Sequence, residues 1–366
     1  MQMQLAVVDP PKKFVQKSSW GKKELGDFHV DMLKFCEFGC PYCSSNNAPH
    51  LRFLPSAVRS SISEQIGHNF SPHRDGGVTI AYRDAIPSLH SELTRCRYRN
   101  DYGKTLVYSQ LTDGFSPTLV SSGATRATLD LLIRHTRFRI RILTKNAVVG
   151  TDEWIRYFDY HRDRFTIGLS IGTLDDRLGQ QIECGTSLPS ERIAALRRLQ
   201  DAGLSTYGML CPVFRQPLMT DELEELISLL RLERCEKVWF EPYNNRRNWQ
   251  QVRDAFDKQS ERDWFTEVFE EKRTDLWSDY AGHLYRRVRR AADAGGWTDK
   301  IRYLLYEASM EREHMHMLKD LKGILFQSPT AEDGLSRNEA VRSVQTNNAA
   351  DQNVKSFRIH KVWTEV

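Results

Sequence analysis

The chain has 366 residues, enough for one large α/β domain or a domain with an extension. Its hydrophobic share is 40%, with 8 Trp, 13 Tyr and 17 Phe, so a sizeable core can form. Basic and acidic residues nearly balance, 52 against 48, which excludes a strongly polycationic binder and leaves only local basic patches.

No run approaches the ~20 apolar residues that a membrane helix needs. Residues 1–13 lack the basic start of a signal peptide and reach Pro10-Pro11 after one brief apolar patch. Seven cysteines, an odd number clustered at one place, argue against a disulfide framework and for a reducing, cytoplasmic setting.

Residues 1–27, with Lys12, Lys13, Lys17, Lys22 and Lys23 around prolines and glycines, read as an N-terminal arm. Residues 28–33 alternate imperfectly and form the first expected strand. They lead into Cys36-Glu37-Phe38-Gly39-Cys40-Pro41-Tyr42-Cys43, three cysteines at spacings of four and three with an aromatic before the last. Thiolates are soft ligands that suit iron–sulfur clusters, and a cubane cluster normally takes four of them. This loop supplies three, so one iron of a [4Fe–4S] cluster would be left for a non-protein ligand. The alternative is a structural zinc site, which wants four ligands, typically as paired knuckles. His50, Cys96, Cys184, Cys211 and Cys235 each offer only a lone fourth donor. Residues 48–99 are polar and irregular apart from a short strand at 77–82. His50, His68, His73 and His90 within that stretch show no metal-ligand spacing.

A regular alternation begins at 104. Strands are expected at 104–109, 138–143, 165–171, 204–211 and 237–240. Helices are expected between them at 125–135, 151–160, 190–202 and 221–232. Gly203 stops the third helix and Thr220 caps the fourth. Such βα units imply a parallel sheet. With residues 28–33 they give six strands, too few to close. The expected fold is α/β, a partial (β/α)6 TIM-like barrel over residues 28–244. In parallel sheets, ligands sit at the carboxyl ends of the strands. The expected rim is therefore the cysteine loop, Gln110-Leu111-Thr112-Asp113, Thr144-Lys145-Asn146, Ser170 with Gly172-Thr173, Cys211-Pro212, and Glu241 with Tyr243-Asn244.

Residues 245–326 read as a mostly helical C-terminal extension, with helices at 261–277, 280–294 and 299–326. Arg286-Arg287-Val288-Arg289-Arg290 spreads around a helix, so a solvated surface is its default reading and nucleic-acid contact the alternative. Residues 327–366 form a polar tail rich in Asn, Ser and Gln, expected to be loosely ordered.

The cysteine spacing and its aromatic resemble the signature of the radical S-adenosylmethionine (SAM) superfamily. A longer ordered string is similar to the spore photoproduct lyase group within it. That string is Leu143-Thr144-Lys145-Asn146, Leu169-Ser170-Ile171, Ile182-Glu183-Cys184-Gly185-Thr186-Ser187, then Arg192-Ile193 and the Ala202-Gly203 helix end. The resemblance covers roughly residues 28–243. It implies that Cys36, Cys40 and Cys43 ligate a [4Fe–4S] cluster whose open iron chelates SAM. It further implies Tyr42 near the adenine, Lys145 against the SAM carboxylate, Ser170 on the ribose side and Thr112 as a small hydroxyl near SAM. The implied activity is reductive SAM cleavage and hydrogen abstraction from a DNA or RNA substrate, as in DNA repair, fed by an electron donor such as flavodoxin or ferredoxin. Two departures stand out. Gln110 occupies the place of the group's hydrogen-donating cysteine, and Ser44 the place of a tyrosine. Cys211, at the end of the fifth strand, is the candidate substitute donor, against the plainer reading of a small buried hydrophobe. Cys211 and Tyr42 are thus the candidate catalytic residues. The alternatives are a radical SAM enzyme acting on a peptide or small molecule, and a non-enzymatic metal-binding module.

Overall fold

The computed structural model describes residues 4–46, 54–72, 74–95, 102–306, 309–315 and 322–327, all within one compact unit. Expectations for His50, His73, Cys96 and the tail from 328 onward lie outside those residues.

The strands, in chain order, are β1 (Gln4–Val8), β2 (Gln16–Lys17), β3 (Phe28–Val30), β4 (Leu33–Phe35), β5 (Val78–Tyr82) and β6 (Thr105–Tyr108). They continue with β7 (Arg139–Thr144), β8 (Phe165–Ser170), β9 (Thr206–Val213), β10 (Val238–Pro242), β11 (Ile301–Leu305) and β12 (Ile324–Phe326). The main sheet runs β12-β11-β10-β9-β8-β7-β6-β3-β2, and every pair from β3 to β12 is parallel. Only β2 runs antiparallel, at the edge beside β3. Helices Ala124–His135, Asp152–Tyr160, Pro189–Asp201 and Glu222–Leu230 alternate with the strands, as βα units require. This is the expected curved α/β sheet, followed by the helices Gln259–Phe269 and Thr274–Gly295.

Several local expectations are corrected. The strand expected at 28–33 breaks in two. β3 stays in the main sheet, while β4 leaves it to pair with β5 in a three-stranded sheet with β1. The break leaves Asp31 between the halves, where its carboxylate serves the site described below. The polar stretch 48–99 holds two helices, Ser56–Ile66 and Ala85–Thr94. The helix expected at 261–277 is interrupted near Lys272, whose φ is 60°. The helix expected at 299–326 is replaced by β11, a short helix at Arg312–Met315, and β12. Ile301, Tyr303, Leu304 and Leu305 are all buried, and pairing against β10 and β12 overrides the helix-favouring charged residues around them. The parallel array therefore extends two strands beyond the six expected.

The inner face of the sheet is filled in layers. Tyr207 lies across Gly168, where an added Cβ would stand 2.4 Å from its ring, and donates its hydroxyl to the Ile142 carbonyl at 2.9 Å. The Arg141 guanidinium sits 5.0 Å from the Tyr207 ring and 5.1 Å from that of Trp239, within cation–π range of both. Above them come Leu143, Met209 and Leu304. Residues read as part of an arm complete this layer. Trp20 and Leu25 pack among Tyr207, Met209, Trp239 and Leu304. The segment is pinned: Trp239 Nε1 donates to the Lys23 carbonyl at 2.7 Å, and Glu24 pairs with Lys237 at 2.8 Å and Arg302 at 2.7 Å. Fully burying the Leu25 side chain contributes about 1.5–3 kcal/mol, and the half-buried Trp20 adds to it.

Candidate active site at the strand ends

The carboxyl ends of the strands open onto a cavity lined by Cys36, Cys40, Tyr42, Cys43, Thr112, Lys145, Ser170 and Cys211 together. Every candidate site residue from the sequence reaches it. Of the expected rim, Asn146, Gly172 and Thr173 stand aside and do structural work instead. Asn146 caps the following turn by accepting from Val148 N–H at 3.0 Å, and Thr173 donates to Glu222.

The cysteine loop is shaped by its own backbone and one acid. Cys43 N–H donates to the Cys40 carbonyl at 3.1 Å, and Asn46 N–H to that of Cys43 at 3.1 Å. Gly39 sits at φ 60°, and a Cβ there would approach Gly76 Cα and the Pro72 carbonyl to 3.0 Å, so the turn needs glycine. The buried Glu37 accepts from the Thr79 hydroxyl at 3.0 Å and from Thr118 N–H at 2.8 Å. Asn248 holds the far side by donating to the Pro41 carbonyl at 2.7 Å. Burial pushes the Cys36 and Cys40 thiols up. For Cys40 the Lys145 charge pulls the other way, and for Cys36 the neighbouring Cys43 adds to the rise.

Facing the loop is a buried charge network. Lys145 Nζ donates to Ser170 Oγ at 2.8 Å and lies 3.8 Å from Glu183. Its ammonium is also 5.5 Å from the Tyr42 ring centroid. Glu183 accepts from the Tyr42 hydroxyl and from Arg192, and Arg192 also donates to the Ser170 carbonyl at 2.5 Å. Burial alone would raise the Glu183 carboxyl, but Arg192 and then Lys145 outweigh it and hold it below the usual range. Lys145 is therefore fixed in place by a hydroxyl and a carboxylate, yet keeps donor capacity toward the cavity.

Asp31, which carried no role in the sequence reading, and Asp113, expected only as part of the rim, organise the β6 and β7 ends. Asp31 accepts from Leu111 N–H at 2.9 Å, Thr112 N–H at 3.0 Å and the Thr112 hydroxyl at 2.9 Å, with His29 behind it at 2.9 Å. Asp113 accepts from the Thr144 hydroxyl and from Lys145 N–H, both at 2.8 Å. Burial nonetheless raises its carboxyl above the usual range. Ser109 was also missed. It lines the cavity at φ 62°, and its buried hydroxyl has no partner among the described residues. Asp31 lies inside the strand expected at 28–33, between Val30 and Met32-Leu33, with nothing local to mark it. No local signal marks Ser109.

Gln110 does not face the cavity as a free side chain. Its amide donates to Ser19 Oγ at 2.8 Å and accepts from the Ser18 hydroxyl, which fastens the Trp20–Leu25 segment to the rim. Ser44 is exposed. Cys211 shares its surroundings with Glu241, Lys23 and Lys145. Burial raises its thiol, as does Glu241, while the two lysines lower it. No group of three His, Cys, Asp or Glu among the described residues converges on a single point. Cys36, Cys40 and Cys43 nonetheless line one cavity from one short loop, and thiolates are the donors that suit an iron–sulfur cluster. Three thiols on a short loop thus fit a cluster with one open corner.

No family model matches the chain. The uncharacterised protein ORF301 of Acidianus two-tailed virus is 20% identical over 228 residues, covering 62% of this chain and 69% of that protein. Among solved structures, spore photoproduct lyase complexed with dinucleoside spore photoproduct is similar, with 17% identity and a TM-score of 0.46, over 69% of this chain. The match spans 66% of the lyase chain, just under two thirds of its length. The structure of native anSMEcpe with bound AdoMet and a peptide aligns over 74% of this chain and 61% of its own, with 12% identity and a TM-score of 0.43.

Proposed function

We propose that this chain is a radical SAM enzyme, with Cys36, Cys40 and Cys43 as ligands of a [4Fe–4S] cluster and Lys145, Ser170, Thr112 and Tyr42 around SAM. The observation that carries this reading is the meeting of those seven side chains in one cavity at the strand ends. Such a cluster, held by Cys36, Cys40 and Cys43, would relay one electron from an external reductant and so supply the reductive cleavage of SAM.

The chain's own residues bind and orient. Lys145 presents a compact positive charge, pre-aimed by Ser170 and Glu183, to a carboxylate. The Tyr42 ring, fixed through its hydroxyl to Glu183, offers an edge or face to a purine. Thr112 spends its proton on Asp31 and keeps lone pairs for a ligand donor. Leu25, Met209 and Leu304 make the floor apolar and keep water from a reactive radical. Cys211, which lines the same cavity as the cysteine loop, is the proposed hydrogen donor in place of the position held by Gln110. Burial keeps its thiol protonated, as a donor must be.

We take nucleic acid as the substrate class, with a peptide or small molecule as the second reading and cytoplasm as the compartment. Among the described residues no helix is long and apolar enough to cross a membrane. Product analysis with deuterium-labelled DNA tests the substrate. Label arriving in 5′-deoxyadenosine supports the reading. Unlabelled 5′-deoxyadenosine, formed at the same rate with and without DNA, contradicts it.

A further inference from the structure

Part of the cavity lining has no part in the SAM contacts proposed above. It comprises Trp20 and Lys23 from the pinned N-terminal segment, Glu241 from the end of β10, and Arg246, with Tyr306 bonded to the last two from behind the lining. Among the described residues Glu241 receives one hydrogen bond, from the Tyr306 hydroxyl at 2.9 Å. Its two cations stand further off, Lys23 at 3.9 Å and Arg246 at 3.7 Å. These are ion-pair distances but not hydrogen bonds. The Lys23 ammonium makes no hydrogen bond among the described residues, although its side chain is only 19% exposed. Arg246 donates to Tyr306 and stacks on its ring, with the guanidinium carbon 4.5 Å from the centroid, leaving other N–H groups of its fork uncommitted. Two positive charges thus face one carboxylate above an apolar floor, where an unbalanced charge acts strongly.

We propose that this part of the cavity is an oxyanion subsite, in which Lys23 and Arg246 bind a phosphate or carboxylate group of the substrate. The inference rests on the radical SAM reading for what happens next to that group, but not for the binding itself. Lys23 reaches the site because its segment is held in place. Its own carbonyl takes the Trp239 bond, Glu24 is clamped by Lys237 and Arg302, and Gln110 ties down Ser18 and Ser19. Such pre-organisation removes ordering entropy from binding. Arg246 brings a planar fork and Lys23 a point charge, a pair suited to a tetrahedral or planar oxyanion. The segment Ser18–Leu25 is then a specificity element, and Gln110 is its clasp.

The test is a calorimetric titration of the full-length, anaerobically reconstituted protein with three probes: thymidine 5′-phosphate, thymidine, and N-acetylglycine. The expected result is saturable binding of a charged probe at least tenfold tighter than thymidine. Tighter thymidine 5′-phosphate assigns the site to phosphate, and tighter N-acetylglycine assigns it to carboxylate. Lys23→Met and Arg246→Met should each weaken the charged probe about tenfold, and Lys23→Arg should restore most of the loss, which a folding defect would not. Thymidine binding as tightly as the charged probes, no saturable binding of either charged probe, or Met variants with unchanged affinity each overturn the subsite. A parallel SAM titration separates the two readings. SAM binding without anion binding removes only the subsite, and anion binding without SAM binding removes only the cofactor reading.

Discussion

Glu183 is the residue on which most of the site's electrostatics turn. It is buried, it faces both Arg192 and Lys145, and it receives the Tyr42 hydroxyl. Glu183→Gln leaves the fully buried Arg192 without its counter-charge, and such a break costs about 3–5 kcal/mol. Chemical denaturation should show a loss of that size. The pH dependence has a definite sign. The carboxyl is held below its usual value of 4.5, so its stabilising contribution is complete above that pH and is lost as pH falls through the lower folded value. In the Gln variant the acid-side fall in melting temperature should be shallower than in the natural chain. An identical acid limb in the two proteins would show that Glu183 is not held by Arg192 and Lys145. At this scale the sequence was informative where a residue lies within an ordered string. Lys145 and Ser170 were named from it, and they meet at 2.8 Å. It was silent on Asp31 and Ser109, whose placement comes from a strand break and a left-handed turn that only the folded chain creates.

Among the elements, the segment Ser19–Lys23 with its flanks is the one that sequence patterning undervalued. Five lysines and a scatter of Gly and Pro over residues 1–27 look like a solvated leader. The signal to the contrary was sparse: Trp20 and Leu25, two apolar residues with no helical or strand period between them. Their burial depends on a lumen formed by strands two hundred residues later, which no local window contains. The same holds for β11, where pairing decides against local helix preference. The β6-to-β10 alternation, by contrast, was plain because each βα unit carries its own period and stop signal. The clasp gives a prediction at this scale. Gln110→Ala removes the bonds to Ser18 and Ser19 and should cost about 1–2 kcal/mol. Limited proteolysis should then cut near residues 18–25 sooner, while SAM cleavage in the absence of substrate stays largely intact. Loss of that basal cleavage in Gln110→Ala would mean that Gln110 acts on SAM and not on the segment.

For the molecule as a whole, two sheets and the N-terminal segment each bring one part of the site to a common cavity. The small sheet carries the cysteine loop off the end of β4, the main sheet supplies Thr112, Lys145, Ser170 and Cys211 at successive strand ends, and the N-terminal segment closes the floor. Ligands at the carboxyl ends of parallel strands follow from that topology. The most direct test of the account is anaerobic reconstitution with iron and sulfide, followed by incubation with SAM and dithionite. The prediction is a brown protein with iron and sulfide in equal amounts that releases 5′-deoxyadenosine, and a Cys40→Ala variant that stays folded but loses both the colour and the cleavage. A colourless protein that takes up zinc, or a Cys40→Ala variant that loads iron and cleaves SAM like the natural chain, would contradict it.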